Sequence, residues 1–452
     1  METGAGRIRI LTSTIRRLLN RRATANLVKI INKTHSADLA LVFKGLSQKD
    51  GRVLFELLPN VEIAAEVLAE MEEHVREFFL EELHPERLAR LIQEMSGDDA
   101  AEILEEVEDE ERKNKILELM KDEDSDEVEE LLSYGENTAG RIMSPDYFAL
   151  SKDMEAGDAI RELRQASEAE MVFYVYVVND EKQLEGVVSL RQLVTVPSER
   201  KLADIMETDV VFIETHVDQE EVARLVARYN ILAIPVTDQD KRLVGIITVD
   251  DVIDVMSDEA TEDLMKLVGT SEEDISSSSA WRSAQIRLPW LFVSWIGGVL
   301  ASRIIEHYSE AVATMAALAA FIPVVIGMGG NIGIQSASIT VRGLATHHIE
   351  HGRLLRYVFK EISVGLLLGV VYGVLLGTAS ALLYHGNIQL GLATGLGIMT
   401  SMLLASVMGS ALPLFFHRLG IDPAVASGPF VTTAIDVIGV TAYFLIATAI
   451  IL

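Results

Sequence analysis

Residues 427–452 read SGPFVTTAIDVIGVTAYFLIATAIIL, an apolar run with a single carboxylate, Asp436, and no Lys or Arg. The run exceeds the roughly 20 residues that a helix needs to cross the hydrocarbon of a bilayer. Four more apolar stretches precede it, near 284–305, 311–341, 355–384 and 389–416. Five crossings are therefore expected, the last near 424–452. A carboxylate at mid-membrane costs roughly 2.5–3.5 kcal/mol on insertion scales. No Lys or Arg lies in the interior of a span to neutralise Asp436. Three states fit it: a protonated acid, a carboxylate facing a water-filled pathway, or a ligand for a cation from solution. The structural alternative is a carboxyl group hydrogen-bonded between helices. Intramembrane acids usually face a bundle interior or a cavity, which favours a pathway.

The second stretch carries PVVIGMGGNIGIQS at 323–336. It is too long for a simple span, and a broken or tilted helix is expected there. Pro323 removes a backbone donor and frees a carbonyl upstream. Gly329, Gly330 and Asn331 should loosen the helix and permit close backbone approach. Freed carbonyls, the Asn331 amide and the Asp436 carboxylate are oxygen donors, which suit hard cations such as magnesium or calcium. Close helix packing at small residues is the alternative.

Charge divides the chain. Residues 1–275 hold 62 acidic and 31 basic side chains, whereas residues 276–452 hold 6 and 8. An acidic soluble half joined to a membrane half follows. So negative a surface repels nucleic acid and gathers cations. Arg282 and Arg287 precede the first span, Arg342, Arg353, Arg356 and Lys360 follow the second, and Arg418 follows the fourth. The opposite loops offer only Arg303, offset by Glu306 and Glu310. The positive-inside rule then puts the acidic half in the cytoplasm and the C-terminus outside an inner (plasma) membrane. The chain has no cysteine, which excludes disulfides, thiolate metal sites and cysteine catalysis. Arg7, Arg9, Arg16, Arg17, Arg21 and Arg22 make the N-terminus basic without a signal-peptide pattern. That segment reads as an amphipathic surface helix or a helix lying on anionic lipid.

Residues 12–133 read as successive helices in a superhelical repeat, with apolar residues at helical spacing in VEIAAEVLAEM and ERLARLIQEM. Asp98 and Asp99 are expected to cap a helix beginning near Ala100. Residues 139–257 repeat one pattern twice. AGRIMSPDYFAL, EAGDAIRELRQ, FYVYVVND and EGVVSLRQLV answer to LADIMETDVVFI, DQEEVARLVARY, AIPVTD and VGIITVDDVI. Each copy supplies a short extended piece, a helix, two strands and a closing helix. The duplication resembles a tandem pair of cystathionine-β-synthase-type (CBS) domains. Such pairs usually sense ligands, adenine nucleotides among them; a purely structural dimerisation module is the alternative. Asp250, Asp251, Asp254, Asp258, Glu259, Glu262 and Asp263 follow, and spacings of three and four align Asp251, Asp254, Asp258 and Glu262 on one helical face. Like charges so placed destabilise a helix. Either the face is simply solvated or divalent ions compensate it. Glu272 to Ser279 reads as a flexible polar connector.

With these residues in view, the chain resembles the MgtE family of magnesium channels along nearly its whole length. The order of domains, the stretches PVVIGMGGNIGIQS and SGPFVTTAIDVIG, and the acidic TVDDVIDV and EATED segments carry the resemblance. The expected fold is a multidomain membrane protein with an all-α superhelical N-terminal domain (1–134). An α+β tandem CBS pair follows (135–200 and 201–258), then a connecting plug helix and linker (259–281) and a five-helix transmembrane domain (282–452). The resemblance implies a homodimer with its pore between subunits. Asp436 of each chain would hold a hydrated magnesium ion, with Gly329, Gly330, Asn331, Thr432 and Gly439 near the same level. It further implies that Glu259, Glu262 and Asp263 lie on the plug helix and that Asp251 and Asp254 bind regulatory magnesium. Glu66, Asp98, Glu102, Asp218 and Glu220 stand at further ligand positions. Asn230 replaces an acid found in some members, which weakens or removes one regulatory site. A secondary divalent-cation transporter coupled to protons or ions, and a membrane sensor regulated by ATP, remain open readings. No phosphate loop, partnered nucleophile or His-rich metal motif points to an enzyme.

Overall fold

The computed structural model of the chain describes residues 4–165, 173–271, 273–276, 279–346, 349, 354–425 and 428–451. Glu272, Ser277, Ser278, Arg353 and Ser427 of the sequence argument lie outside these residues. The chain forms two compact units, Met1–Asp258 and Glu259–Leu452.

The first unit opens with short helices: α1 (Gly4–Asn20), α2 (Thr24–Ile31), α3 (Ser36–Lys44), α4 (Gln48–Phe55), α5 (Val61–Ala69), α6 (Glu73–Glu82), α7 (Pro85–Ile92), α8 (Gly97–Glu105), α9 (Glu110–Leu119) and α10 (Asp122–Ser133). Side-chain oxygens start several of them, because the first amides of a helix lack partners within it. Ser47 accepts from the Asp50 amide and Asn60 from the Ile63 amide. Apolar faces meet in one core around Leu39, Phe43, Leu54, Phe55 and Leu88, with Phe79 edge-on to Phe43 at 5.6 Å. The expected start of α8 is corrected. Ser96 occupies the N-cap position, and Asp98 and Asp99 sit inside the first turn. There the positive end of the helix dipole favours acids without requiring them to cap.

The duplication is visible in hydrogen bonds. Strands β1 (Ala149–Ser151), β2 (Tyr174–Val178) and β3 (Leu184–Ser189) form one sheet, and β4 (Ile213–Glu214), β5 (Ala233–Thr237) and β6 (Leu243–Thr248) form the other. In each sheet the first pair is parallel and the second antiparallel, and both antiparallel pairs slip register at the same place, Val177/Val178 and Val236/Thr237. Helices α11 (Ala156–Leu163), α12 (Leu190–Thr195), α13 (Leu202–Ile205) and α14 (Gln219–Tyr229) complete the pair. The copies exchange edges: Ser144 bridges to Ile246, and Glu207 bridges to Val187.

Helix α15 (Val249–Val268) leaves β6 and runs unbroken past the division between units. Gly269 ends it at φ 77°, a conformation favouring glycine. The connector expected to be flexible contains α16 (Glu273–Ser276), and Asp274 accepts from Thr270 Oγ1 at 2.8 Å and Arg287 Nε at 2.6 Å. Then follow α17 (Ala280–His307), α18 (Ser309–Thr314), α19 (Ala317–Ala345), α20 (Leu354–Leu383), α21 (Ile388–Arg418) and α22 (Pro429–Ile451). Five of the described helices, α17 and α19 to α22, are long and apolar enough to cross a membrane. The second apolar stretch is broken, but not where the sequence suggested. The interruption lies between α18 and α19, and α19 stays helical through Pro323, Gly329, Gly330 and Asn331. Packing explains this, because Gly329 and Gly333 admit neighbouring helices instead of unwinding. A Cβ on Gly333 would collide with Ile435 of α22, and one on Gly409 of α21 would collide with the Gly333 carbonyl. Tyr443 anchors the same bundle by donating to the Leu318 carbonyl at 3.0 Å.

Candidate functional site

In the membrane unit, Asp436 lies seven residues into α22, half-buried. It makes no hydrogen bond or ion pair with any described residue, whereas neighbouring hydroxyls find helix partners. Thr432, one turn earlier on the same face, donates to the Pro429 carbonyl at 3.1 Å. The α19 motif is split by helical geometry. Asn331 is exposed and Gly330 borders open space. Gly329 and Gly439 instead pack inward, and a Cβ on either would stand 3.2 or 2.6 Å from Ser401 Oγ of α21. Gly330 and Asn331 face outward from the single chain, whereas Gly329 and Gly439 let helices approach.

The second unit also gathers charges at one end of the bundle. Lys266 Nζ contacts Glu262 Oε1 at 2.5 Å and Asp422 Oδ2 at 2.6 Å. Asp263 stands nearby, pushed up first by desolvation and then by Asp422, with Lys266 and Arg342 opposing. The end of α15, the α21–α22 connection and the end of α19 thus lie on one side. Glu259 lies on the same helix, half-buried. Asp422 was missed in the sequence. Its signal was rarity, since it is one of only six acids after residue 275.

In the first unit, α8 and the start of α15 bring acids together. Asp251 is pushed up to about 6, chiefly by desolvation, with Asp250 and Asp99 adding to the shift. Desolvation and then Glu102 push Asp254 up, while desolvation, Asp254 and Glu102 push Asp258 up. Asp99 is raised by desolvation and by Glu102. Two of these acids already have structural partners. Asp251 Oδ2 accepts from the Thr248 amide at 3.1 Å and its hydroxyl at 2.7 Å, closing the start of α15. Glu102 meets buried Arg76 at 2.6 Å, and Arg76 also pairs with Glu106. Asp98 lies half-buried in the same first turn of α8.

Other expected ligands are placed elsewhere. Glu66 is exposed on α5. Asp218 caps α14 by accepting from the Glu220 amide at 2.8 Å. Asn230 ends α14 in the left-handed region at φ 52°, which Asn tolerates better than most residues. Among the described residues, no three His, Cys, Asp or Glu side chains are grouped so as to hold a metal ion.

The comparisons agree with this architecture. A family model described as MgtE, divalent cation transporter, matches residues 322–446; MgtE intracellular N domain matches 34–137, and CBS domain matches 139–199 and 202–258. Magnesium transporter MgtE of Bacillus subtilis is 35% identical over 421 residues, 93% of each chain. Magnesium transporter MgtE of Thermus thermophilus is 36% identical over 429 residues, 94% of this chain and 95% of that one. Among solved structures, the cytosolic domain of the Mg2+ channel MgtE in complex with ATP is 37% identical with a TM-score of 0.52. It covers 54% of this chain and 99% of its own.

Proposed function

This chain belongs to the MgtE family of magnesium transporters, and from that premise we propose that it is a magnesium-selective channel whose acidic N-terminal half senses cytoplasmic magnesium. It is a membrane transport protein rather than an enzyme. The observation that carries the channel reading is Asp436: a half-buried carboxylate within a membrane helix, unpaired by any described residue. A group so placed needs water, a cation or a second subunit. In a homodimer, two copies would present their Asp436 carboxylates to one hydrated ion, with Gly330 and Asn331 available on the outward face. The N-terminus is cytoplasmic and the C-terminus external.

Regulation follows from the acids on α8 and α15. Glu102 raises the cost of ionising Asp99, Asp254 and Asp258, and Asp99 that of Asp251, and bound magnesium would lower that cost. Magnesium favours the closed state only if it binds that state more tightly than the open one. Helix α15 begins among these acids and ends at the Lys266–Asp422 pair, so it carries the signal. The relative solved with ATP supports a nucleotide input at the CBS pair as well, tested by titrating ATP into residues 1–275 with and without magnesium.

Magnesium flux into liposomes bearing the purified protein tests the pore. Wild-type protein should pass magnesium and Asp436→Ala should not; undiminished flux in that variant refutes the assignment. Single-channel currents separate a channel from a coupled carrier. Replacing Asp251, Glu259 and Glu262 together with neutral amides should leave currents insensitive to internal magnesium. Currents still shut by millimolar magnesium would reject the sensor.

A further inference from the structure

A second carboxylate of the membrane unit, Glu361 of α20, differs from Asp436 in burial and in hydrogen bonding. It is only 3% exposed. It lies seven residues into α20, about 10 Å along the axis at the usual helical rise. Its Oε2 accepts from Ser336 Oγ of α19 at 2.9 Å, and its main-chain carbonyl accepts from Ser406 Oγ of α21 at 2.9 Å. The two serine oxygens stand 3.2 Å apart. One side chain and its own carbonyl thus tie three helices at one level.

Small residues bring the backbones close enough for this tie. A Cβ on Gly365, one turn after Glu361, would lie 2.7 Å from Ser406 Cβ. On α19, Gly333 lies one turn before Ser336 and touches both Gly409 and Ile435. Ile435 immediately precedes Asp436. A continuous series of contacts therefore runs from Glu361 through Ser336 and the α19 backbone to the residue beside the pore acid. Thr340 extends the polar level, with its hydroxyl 3.0 Å from Tyr357 of α20 and 2.6 Å from the Ser336 carbonyl.

We propose that Glu361 is a positioning residue for ion selection: through Ser336 it fixes the depth and rotation of α19, and so the setting of Asn331 and of Asp436. The inference rests on the pore reading of Asp436. Polar side chains inside a membrane are retained where their placement matters, and the Glu361 side-chain oxygen gives Ser336 a fixed acceptor on α20. Groups that orient a metal-binding side chain commonly change affinity or activity by about tenfold when removed.

The test is magnesium flux, and its competition by calcium and cobalt, in liposomes bearing full-length protein. Glu361→Gln keeps an oxygen that can accept from Ser336 and should stay within about threefold of wild type. Glu361→Ala should raise the magnesium concentration for half-maximal flux by about tenfold and weaken discrimination against calcium. Ser336→Ala removes only the hydroxyl, should shift discrimination the same way, and decides the matter if Glu361→Ala does not accumulate. Unchanged discrimination in Ser336→Ala overturns the proposal. So does reduced flux with unchanged ion preference, since that is what a merely structural contact would give. Asp436→Ala runs beside them: normal flux there fails the pore reading, whereas its loss together with wild-type preference in Glu361→Ala fails the positioning role alone.

Discussion

The acids of α8 and α15 and the lone acid of α22 use one functional group in opposite ways. In the first unit many carboxylates share a surface, each raising its neighbours' cost of ionisation, and buried Arg76 pairs with two of the acids on or beside α8. In the second unit Asp436 has no described partner, and its cost is that of leaving water. On the proposed reading, a crowd spreads function over many weak contributions and responds to ion concentration. A solitary group concentrates function in one position and leaves no spare.

The largest expected effect would break that contrast outright. Asp436→Ala should lower magnesium flux by at least about a hundredfold, whereas Asp254→Asn or Asp258→Asn alone should move the magnesium midpoint of closure by less than about threefold. Equal effects in flux and patch recordings would mean that the crowd is not distributed. Next comes the counter-charge. Arg76→Ala leaves Glu106 buried without its guanidinium, and Glu106 is already raised to about 7 by burial. Denaturant unfolding of residues 1–275 should show a loss of about 3 kcal/mol; a loss below about 1 kcal/mol would show Arg76 to be dispensable.

A smaller effect is set by pH. The folded state holds the Asp251 proton at about 6, above the unfolded value of about 4. The folded chain therefore binds more protons over that interval, and stability falls as pH rises from about 4 through about 6. Asp99, Asp254 and Asp258 shift in the same direction. Without divalent ions, their contribution should make residues 1–275 melt a few degrees lower at pH 7 than at pH 5, and millimolar magnesium should restore the loss. Asp251→Asn should flatten the dependence by on the order of 1 kcal/mol. An unchanged melting difference would remove Asp251 from the cluster. The smallest effect belongs to Thr248→Ala, which deletes the hydroxyl bonded to Asp250 and Asp251. It should cost about 1 kcal/mol of stability in the same unfolding assay and leave the magnesium dependence of flux in place.

Legibility in the sequence followed the background against which each residue stood. Asp436 was visible because a charge in an apolar run is rare. Five crossings and the CBS duplication were visible because hydrophobic period and repeated order survive without coordinates. Asp422 and Glu361 carried the same signal of rarity but lay nearer span ends, where a charge reads as a boundary. The partners of Glu102 and Asp251 were hidden among 62 acids. Nothing in spacing distinguishes an acid bonded to Arg76 from one facing solvent. The glycines misled for a related reason: glycine loosens an isolated helix, but here tight contacts with α21 and α22 keep α19 helical.

The sequence by itself determined which segments are apolar, how many of them are long enough to cross a membrane, which side its positive loops favour, and that a repeated CBS pair precedes the spans. Those properties depend on local composition and period, which a chain carries before it folds. Only the tertiary structure decided which face of α19 is open, that Gly329 and Gly439 serve packing, that Arg76 holds Glu102, and that Glu361 joins three helices. These depend on distances between residues far apart in the chain, which are set when helices pack and backbone polar groups find their partners.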